Sequence, residues 1–549
     1  LQRGWDFDRE IEAIKYHLDK EEFMKNRFNL WVGITLIFLG CMMSFSQQGP
    51  AQKAAGREKP TTSSKTPPFE KPPVVTKHAI TIDGKPVSYT ATVGEMIVNK
   101  PNEEPGASIF YIAYTRSDVQ DKSTRPLTFA YNGGPGSSSV WLHLGCLGPR
   151  RVAMDDEGHP TAPPFGLTDN ENSLIDVTDF VFIDPVSTGY SRPLPGENKS
   201  QFHGVQEDVE SVGEFIRLYV TKNERWDSPK FLLGESYGTT RSAGLSGFLQ
   251  GRTHGMYLNG IVLVSSVLDF STIVFMPGNL TPYILFLPHY TATAWYHNKL
   301  PAELQKKALP EVLDEAKKFA FDEYSIALLK GNILPQGEYE EIARKLAAYT
   351  GLSLDYVKQS NLRIRHDRFV KELLRDEFHT VGRLDSRFKG QDSDAAGESY
   401  EYDPSSSAIQ GAFSTILNHY LREELNYEKD IPYAIYGNVY PWNFSSVPSD
   451  PMQMRRGGMG MGLNVAEILR QAMAENEHLR VFCCNGYYDG ATPFFGTEYT
   501  FAQMGLNGEF KDRVKMGYYE AGHMMYIHKP SIIKLKKDLA AFIQEASGK

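Results

Sequence analysis

Gly234-Glu235-Ser236-Tyr237-Gly238 follows the short apolar run Phe231-Leu232-Leu233 and precedes Thr239 to Gln250, which reads as a helix. Strand, sharp turn and helix in that order is the context of a G-x-S-x-G nucleophile elbow. The glycines permit a strained turn, and the turn lifts the Ser236 hydroxyl above the end of a sheet. Five residues of this kind also arise by chance, so the reading depends on what accompanies them.

Three companions occur. Upstream, the strand-like Leu127 to Tyr131 runs into Asn132-Gly133-Gly134-Pro135-Gly136-Ser137-Ser138-Ser139. A phosphate-cradling loop would close on Gly-Lys-Ser/Thr, and no lysine is present here. Glycines beside a nucleophile instead let backbone N–H groups reach a developing oxyanion. Downstream, Val481 to Cys484 leads into Gly486-Tyr487-Tyr488-Asp489-Gly490-Ala491-Thr492-Pro493. Last, the strand-like Val514 to Tyr518 precedes Glu520-Ala521-Gly522-His523-Met524. Taken singly, Ser236 reads as a turn serine and His523 as a core histidine. The order Ser236, Asp489, His523 is that of an α/β-hydrolase triad. His523 is then the base that activates Ser236, and Asp489 orients the imidazole. His143 and His528 have no comparable context. His143 reads as a helix-surface residue and His528 as the end of the last loop.

These blocks resemble the serine carboxypeptidase family, as does a fifth, Asp184-Pro185-Val186-Ser187-Thr188-Gly189-Tyr190-Ser191. The resemblance runs from about Lys77 to the C-terminus. It implies an α/β-hydrolase fold with a mostly parallel sheet, an antiparallel N-terminal extension and a helical lid insertion. It implies removal of C-terminal residues from peptides through an acyl-enzyme, with no cofactor and no metal. An oxyanion hole from the N–H groups of Gly134 and Tyr237 follows, and Asn132, Gly133 and Glu235 fall where the family binds the substrate's free carboxylate. One position departs: the family commonly has Glu-x-Gly-Pro after the glycine loop, and this chain has Cys146-Leu147-Gly148-Pro149. Two adjacent carboxyls keep one protonated and able to donate to a carboxylate. An esterase, amidase or acyltransferase on the same scaffold is therefore the alternative, and a binding protein with a dead site is a third reading.

Composition supports a large folded enzyme. The 549 residues are 41% hydrophobic with net charge −9, which gives no reason to expect nucleic-acid binding. Residues 24–46 read as a signal peptide, with basic Lys25 and Arg27, the apolar stretch Leu30 to Met43, and small-x-small Ser44-Phe45-Ser46. Residues 1–23 read as an upstream extension. This makes the mature chain secreted or periplasmic, without a stable membrane span; Cys41 after Leu39-Gly40 allows a lipoprotein as a lesser alternative. Residues 47–76, rich in Pro, Lys, Ser and Thr, read as a spacer. Only Cys146, Cys483 and Cys484 follow it, too few for a disulfide framework.

Short apolar runs without alternation, at Phe180 to Ile183, Phe231 to Leu233, Ile261 to Val264 and Val481 to Cys484, suit strands buried on both faces. Val205, Val209, Val212, Ile216 and Tyr219 mark an amphipathic helix between two of them. Hydrolase core is expected over 77–282 and 409–549. The helical lid is expected over 283–408, with helices at Leu304 to Phe321, Glu338 to Tyr349 and Val370 to Phe378. The acidic loop holding Asp392, Asp394, Glu398 and Asp403 lacks the ordered spacing of a calcium loop and reads as solvated.

Overall fold

The run of β-branched residues that starts at Val74 forms the first strand. In the computed structural model, which describes residues 71–445 and 462–548, strand β1 is Val74–Ile82. The upstream extension, the signal peptide with Cys41, and the spacer as far as residue 70 lie outside the described residues. The expected spacer boundary at 76 is three residues too long. Val74, Val75 and Thr76 pair with Val93, Thr92 and Ala91 of β2 (Lys85–Asn99), because β-branched side chains suit a pleated surface.

The sheet continues with β3 (Pro105–Arg116), β4 (Leu127–Tyr131), β5 (Asp179–Ile183), β6 (Lys230–Glu235), β7 (Gly260–Val264), β8 (Arg480–Gly486) and β9 (Val514–Tyr519). Their spatial order is β1-β2-β3-β5-β4-β6-β7-β8-β9. The first three strands are antiparallel, and β3 is antiparallel to β5. From β5 to β9 every neighbouring pair is parallel. An antiparallel leader feeding a parallel sheet through helical crossovers is the α/β-hydrolase fold.

Alternate residues of the central strands feed two cores. Phe231, Leu233, Val262 and Val264 point to one face, and Leu232, Ile261 and Leu263 to the other. Helix α1 (Val205–Lys222) buries Val205, Val209, Val212, Ile216 and Tyr219 on the second face, as their spacing predicts. Helix α2 (Tyr237–Gln250) lies beside it and is buried nearly all round. This is possible because its one cation, Arg241, is neutralised inside the fold. Arg241 Nε donates to Asp208 at 2.7 Å, and Nη1 donates to the Asn132 carbonyl at 2.8 Å.

The insertion has its own core. Helices α3 (Leu287–Tyr296), α4 (Leu309–Phe319), α5 (Gln336–Thr350) and α6 (His366–Glu372) bury an apolar cluster that includes Tyr488, Phe494 and Phe495 of the main fold. The helix expected over 304–321 is interrupted. Pro310 lacks an N–H and cannot sit inside a continuous helix, so α4 restarts with the proline in its first turn. Val370 to Phe378 is likewise not one helix, since α6 ends at Glu372 and a tight turn covers Arg375–Glu377. The boundary at 408/409 cuts through helix α7 (Pro404–Glu423), whose Ile409, Phe413, Ile416, Leu417 and Tyr420 belong to the core of the sheet. The acidic loop is not simply solvated. Asp392 and Lys371 form an ion pair with side chains only 2% and 3% exposed. Asp403 caps α7, accepting from Ser405 N at 3.0 Å. Helix α8 (Lys529–Ala546) packs on the opposite face of the sheet from α1. Among the described residues, no helix is long and apolar enough to cross a membrane, and no group of His, Cys, Asp and Glu is arranged to hold a metal ion.

The Arg241–Asp208 pair is 1% and 2% exposed. Arg241→Met should therefore cost about 3–5 kcal/mol, because it leaves the Asp208 charge buried without a partner. Chemical denaturation checks this. A loss well below that range would show that Asp208 is not held by the guanidinium.

Candidate active site

Ser236 sits between β6 and α2 with φ 60° and ψ −129°, a conformation that a non-glycine residue keeps only where its surroundings enforce it. Here backbone crowding enforces it. A Cβ on Gly234 would lie 2.1 Å from the Gly238 carbonyl oxygen, and one on Gly238 would lie 2.9 Å from Tyr131 O. Ser236 N donates to Val264 O at 3.0 Å and so ties the elbow to the end of β7.

The glycine loop closes on this elbow. A Cβ on Gly133 would lie 2.4 Å from Tyr237 N and 2.7 Å from Glu235 O. Gly134 turns at φ 104°. The Tyr237 N–H belongs to the first turn of α2, whose N–H groups have no acceptor within the helix. The loop itself is pinned by Asp184 of the fifth block, which accepts from Ser139 N at 2.9 Å and Ser139 Oγ at 2.8 Å.

Asp489 and His523 meet across two neighbouring strand ends. His523 Nδ1 donates to Asp489 Oδ2 at 2.8 Å. Ala491 N, Thr492 N and Thr492 Oγ1 also donate to the Asp489 carboxylate, at 2.8, 3.0 and 2.7 Å. Burial pushes this carboxyl up, but the imidazole and these donors outweigh it and hold Asp489 below the usual range. For His523, burial lowers the pKa, but Asp489, with Glu235 adding to it, holds the imidazole above its ordinary value. Ser265, the residue after the Val264 that anchors Ser236, donates from Oγ to His523 O at 2.7 Å. The serine and histidine turns thus hang from adjacent residues.

Glu235 lies beside them, 3% exposed. Burial pushes its carboxyl up to about 7, against the opposing pull of His523, Tyr526 and Asn132. Tyr526 OH donates to Glu235 Oε2 at 2.6 Å. Asn132 Oδ1 accepts from Leu142 N at 3.1 Å, while its Nδ2 is buried without an acceptor. The Cys146 thiol is buried within electrostatic reach of Glu235, and burial first, then that carboxyl, push its pKa up. A thiol and a phenol therefore stand where the resemblance led one to expect a second carboxyl.

Residues 90–273 match the serine carboxypeptidase family. That match covers about a third of the chain. A 135-residue stretch is 34% identical to the pheromone-processing carboxypeptidase KEX1 of Saccharomyces cerevisiae, covering 23% of this chain and 17% of that protein. A 163-residue stretch is 29% identical to serine carboxypeptidase-like 36 of Arabidopsis thaliana, covering 28% of this chain and 30% of that one. The matched stretches thus span less than a third of these relatives. Among solved structures, the prohormone-processing carboxypeptidase KEX1 of S. cerevisiae superposes over 84% of this chain and 91% of its own, with 16% identity and TM-score 0.48.

Two other expectations need revising or sharpening. His143 is not a helix-surface residue: it is 2% exposed, Tyr114 OH lies 2.7 Å from its Nε2, and burial pushes its pKa down to about 3. His528 precedes α8, with Nδ1 2.8 Å from Ser531 Oγ. Sequence reasoning missed Tyr526, Arg241 and Asp385. Asp385 Oδ2 accepts from Gly522 N at 3.1 Å and so braces the His523 turn from the insertion. Met525-Tyr526, two and three residues past His523, was the available signal for Tyr526, because that turn must return to the site.

Gly133→Ala should force the glycine loop and the elbow apart. Labelling of Ser236 by a fluorophosphonate should then slow by about 10²–10³, the effect of losing one oxyanion donor. Unchanged labelling of a folded variant would mean that this contact does not shape the site.

Proposed function

We propose that the chain is a serine-type carboxypeptidase that hydrolyses C-terminal peptide bonds. The observation that carries this reading is the buried pair of Asn132 and Glu235 beside the nucleophile turn, with the Glu235 pKa raised to about 7 by burial. An amide donor and a protonated carboxyl facing the nucleophile turn suit a terminal carboxylate. They have little use in an enzyme for neutral esters.

In this reading Ser236 Oγ attacks the scissile carbonyl carbon. His523 Nε2 takes the hydroxyl proton, and Asp489 stabilises the resulting imidazolium. The Gly134 and Tyr237 N–H groups receive the oxyanion. The leaving amine takes the proton from His523, and the C–N bond breaks to give an acyl-enzyme. A water attacks the acyl carbon with His523 again as base, and releases the shortened peptide and Ser236. Asn132, Gly133 and Glu235 hold the terminal carboxylate until the C–N bond breaks, after which it leaves with the released C-terminal residue and water takes its place. The insertion over residues 283–408 covers one side of the site as a lid. The apolar run Leu30 to Met43 followed by Ser44-Phe45-Ser46 supports export across a membrane. Cys146, a thiol in place of a carboxyl, is the observation that favours an esterase, amidase or acyltransferase instead.

Ser236→Ala should lower kcat by about 10⁶ while leaving the fold intact. Activity retained beyond a trace in the purified variant would remove Ser236 as the nucleophile.

The pH dependence separates the two readings. Glu235 is neutral below about pH 7 and ionised above it, and an ionised Glu235 repels a substrate carboxylate. His523 must be neutral to act as base, and its pKa is raised. For blocked dipeptide acids, kcat/KM should therefore form a narrow bell. For the matching esters it should rise and then level off. Tyr526 OH favours the ionised form of Glu235, so Tyr526→Phe should move the alkaline limb for acids to higher pH and leave that side of the ester profile unchanged. Coincident acid and ester profiles in both proteins would favour the esterase reading.

A further inference from the structure

Two buried imidazoles of the insertion press on the turn that carries Asp489. His289 of α3 and His366 at the start of α6 are 0% and 6% exposed, with ring centroids 5.4 Å apart. A Cβ on Gly490 would lie 2.5 Å from His366 Nε2 and 2.9 Å from His289 Nε2. Both nitrogens thus converge on the residue next to Asp489. His289 Nδ1 donates to Tyr487 O at 3.4 Å, which places its proton there and leaves Nε2 as a bare lone pair. His289 therefore touches the turn on both sides of Asp489.

Neither Nε2 has a hydrogen-bond partner among the described residues, and His366 has none at Nδ1 either. The walls around them are aromatic. His366 stacks on Tyr290 at 5° between planes, and its centroid lies 5.2 Å from that of Phe286. Idle ring nitrogens in such a box carry a cost of polar burial that phenylalanine would avoid. What histidine adds is a charge that can be switched on.

The charged groups facing the pair are already committed. Asp489 accepts from His523 and Thr492, and Asp385 accepts from Arg387 Nη2 at 2.7 Å and from Gly522 N. Arg383 is a cation, and the Tyr290 phenol donates to Ile364 O. A proton on either histidine would thus create an unpaired buried cation, or one that draws Asp489 away from His523. Burial pushes His289 down to about 4, against the pull of Asp489, the Tyr487 carbonyl and Asp385. It pushes His366 well below its ordinary value, with His289 and Arg383 adding to it.

We propose that His289 and His366 are positioning residues: as neutral rings they seat the Asp489 turn against the insertion, and on gaining a proton they unseat it. Above the ordinary histidine pKa the pair is neutral whether the turn is seated or open. Below it, the open turn binds protons that the seated turn excludes. Each pH unit then favours opening by up to about tenfold per histidine, until the lowered pKa of the seated form is reached. For His289 that window runs from about 6.5 down to about 4. The effect falls on the triad itself, so it is the same for peptide acids and for esters.

Amide hydrogen exchange of the whole protein, corrected for the intrinsic rate, tests this at pH 7 and pH 5 in the wild type and in His366→Phe. The variant keeps an aromatic ring in the box and removes the proton site. In the wild type, residues 486–493 and 519–524 should lose protection between the two pH values, while the central strands β6 and β7 keep theirs. The wild-type loss should exceed that of His366→Phe by at least about tenfold. Where His366→Phe fails to fold, His366→Met is read in its place, with the same expectation. Equal losses in the two proteins overturn the inference, because a ring that merely fills space has no pH dependence of its own. A wild type whose two segments stay protected at pH 5 overturns it as well. So does a loss spread evenly over the central strands, which would be acid unfolding of the whole fold.

Discussion

The glycine loop and the elbow touch backbone to backbone, and the rest of the site depends on that contact. Gly133 has no room for a Cβ against Tyr237 N and Glu235 O, and Gly234 has none against Gly238 O. Side chains cannot space these segments, so hydrogen bonds and ion pairs must. Arg241 supplies one tie: from inside α2 it holds the Asn132 carbonyl and is itself held by Asp208. Asp184 supplies the other by gripping Ser139 at the far end of the loop. Both anchors are buried, where hydrogen bonds to charged groups are strong and a missing partner is costly.

The same closeness explains the electrostatics. Three ionisable groups, Asp489, His523 and Glu235, lie in one buried region. Asp489 is stabilised as an anion by His523 and Thr492, so the imidazolium next to it is stabilised too. Glu235 has no cation of its own apart from that imidazole, and burial leaves it near neutrality. The protonation of the Asp489–His523 pair and that of Glu235 are therefore set by different surroundings. One has a dedicated counter-charge; the other has only dipoles from Tyr526 and Asn132. That contrast divides the roles of two carboxyls within a single site.

The order of the five blocks made the fold and the nucleophile region legible before any coordinates. The chemistry of an elbow demands particular residues at fixed spacing, and Gly234, Ser236 and Gly238 carry it. Strands buried on both faces were equally readable, because Phe231 to Leu233 and Ile261 to Val264 have no polar alternation to confuse. What stayed hidden was contact between segments far apart in the chain. The turn past His523 signals that Tyr526 lies near the site, but not that its hydroxyl reaches Glu235, 291 residues away. Asp392 reads as a loop acid until Lys371 is found buried against it. His143 was misplaced for the same reason: its helical turn is wrapped by Tyr114, Phe182 and Tyr420, each from another part of the chain.

The insertion is part of the site's frame. Its segment Arg383 to Asp385 bonds to both triad turns: Gly490 N donates to Arg383 O at 3.1 Å, His523 N to Leu384 O at 2.6 Å, and Gly522 N to Asp385. Gly522 has no space for a Cβ there, since one would lie 2.5 Å from the Asp385 Cα. Gly490 is similarly closed in by the rings of His366 and His289 from α6 and α3. The turns that carry Asp489 and His523 leave neighbouring strands and bond to each other directly, with Tyr488 N donating to Ala521 O at 3.0 Å. One short stretch of the insertion bonds to both and adds to that relation. A substitution far out on the insertion can reach the site through this stretch, which Asp403 and Ser405 at the start of α7 hold in place by accepting from Arg383 N and Leu384 N.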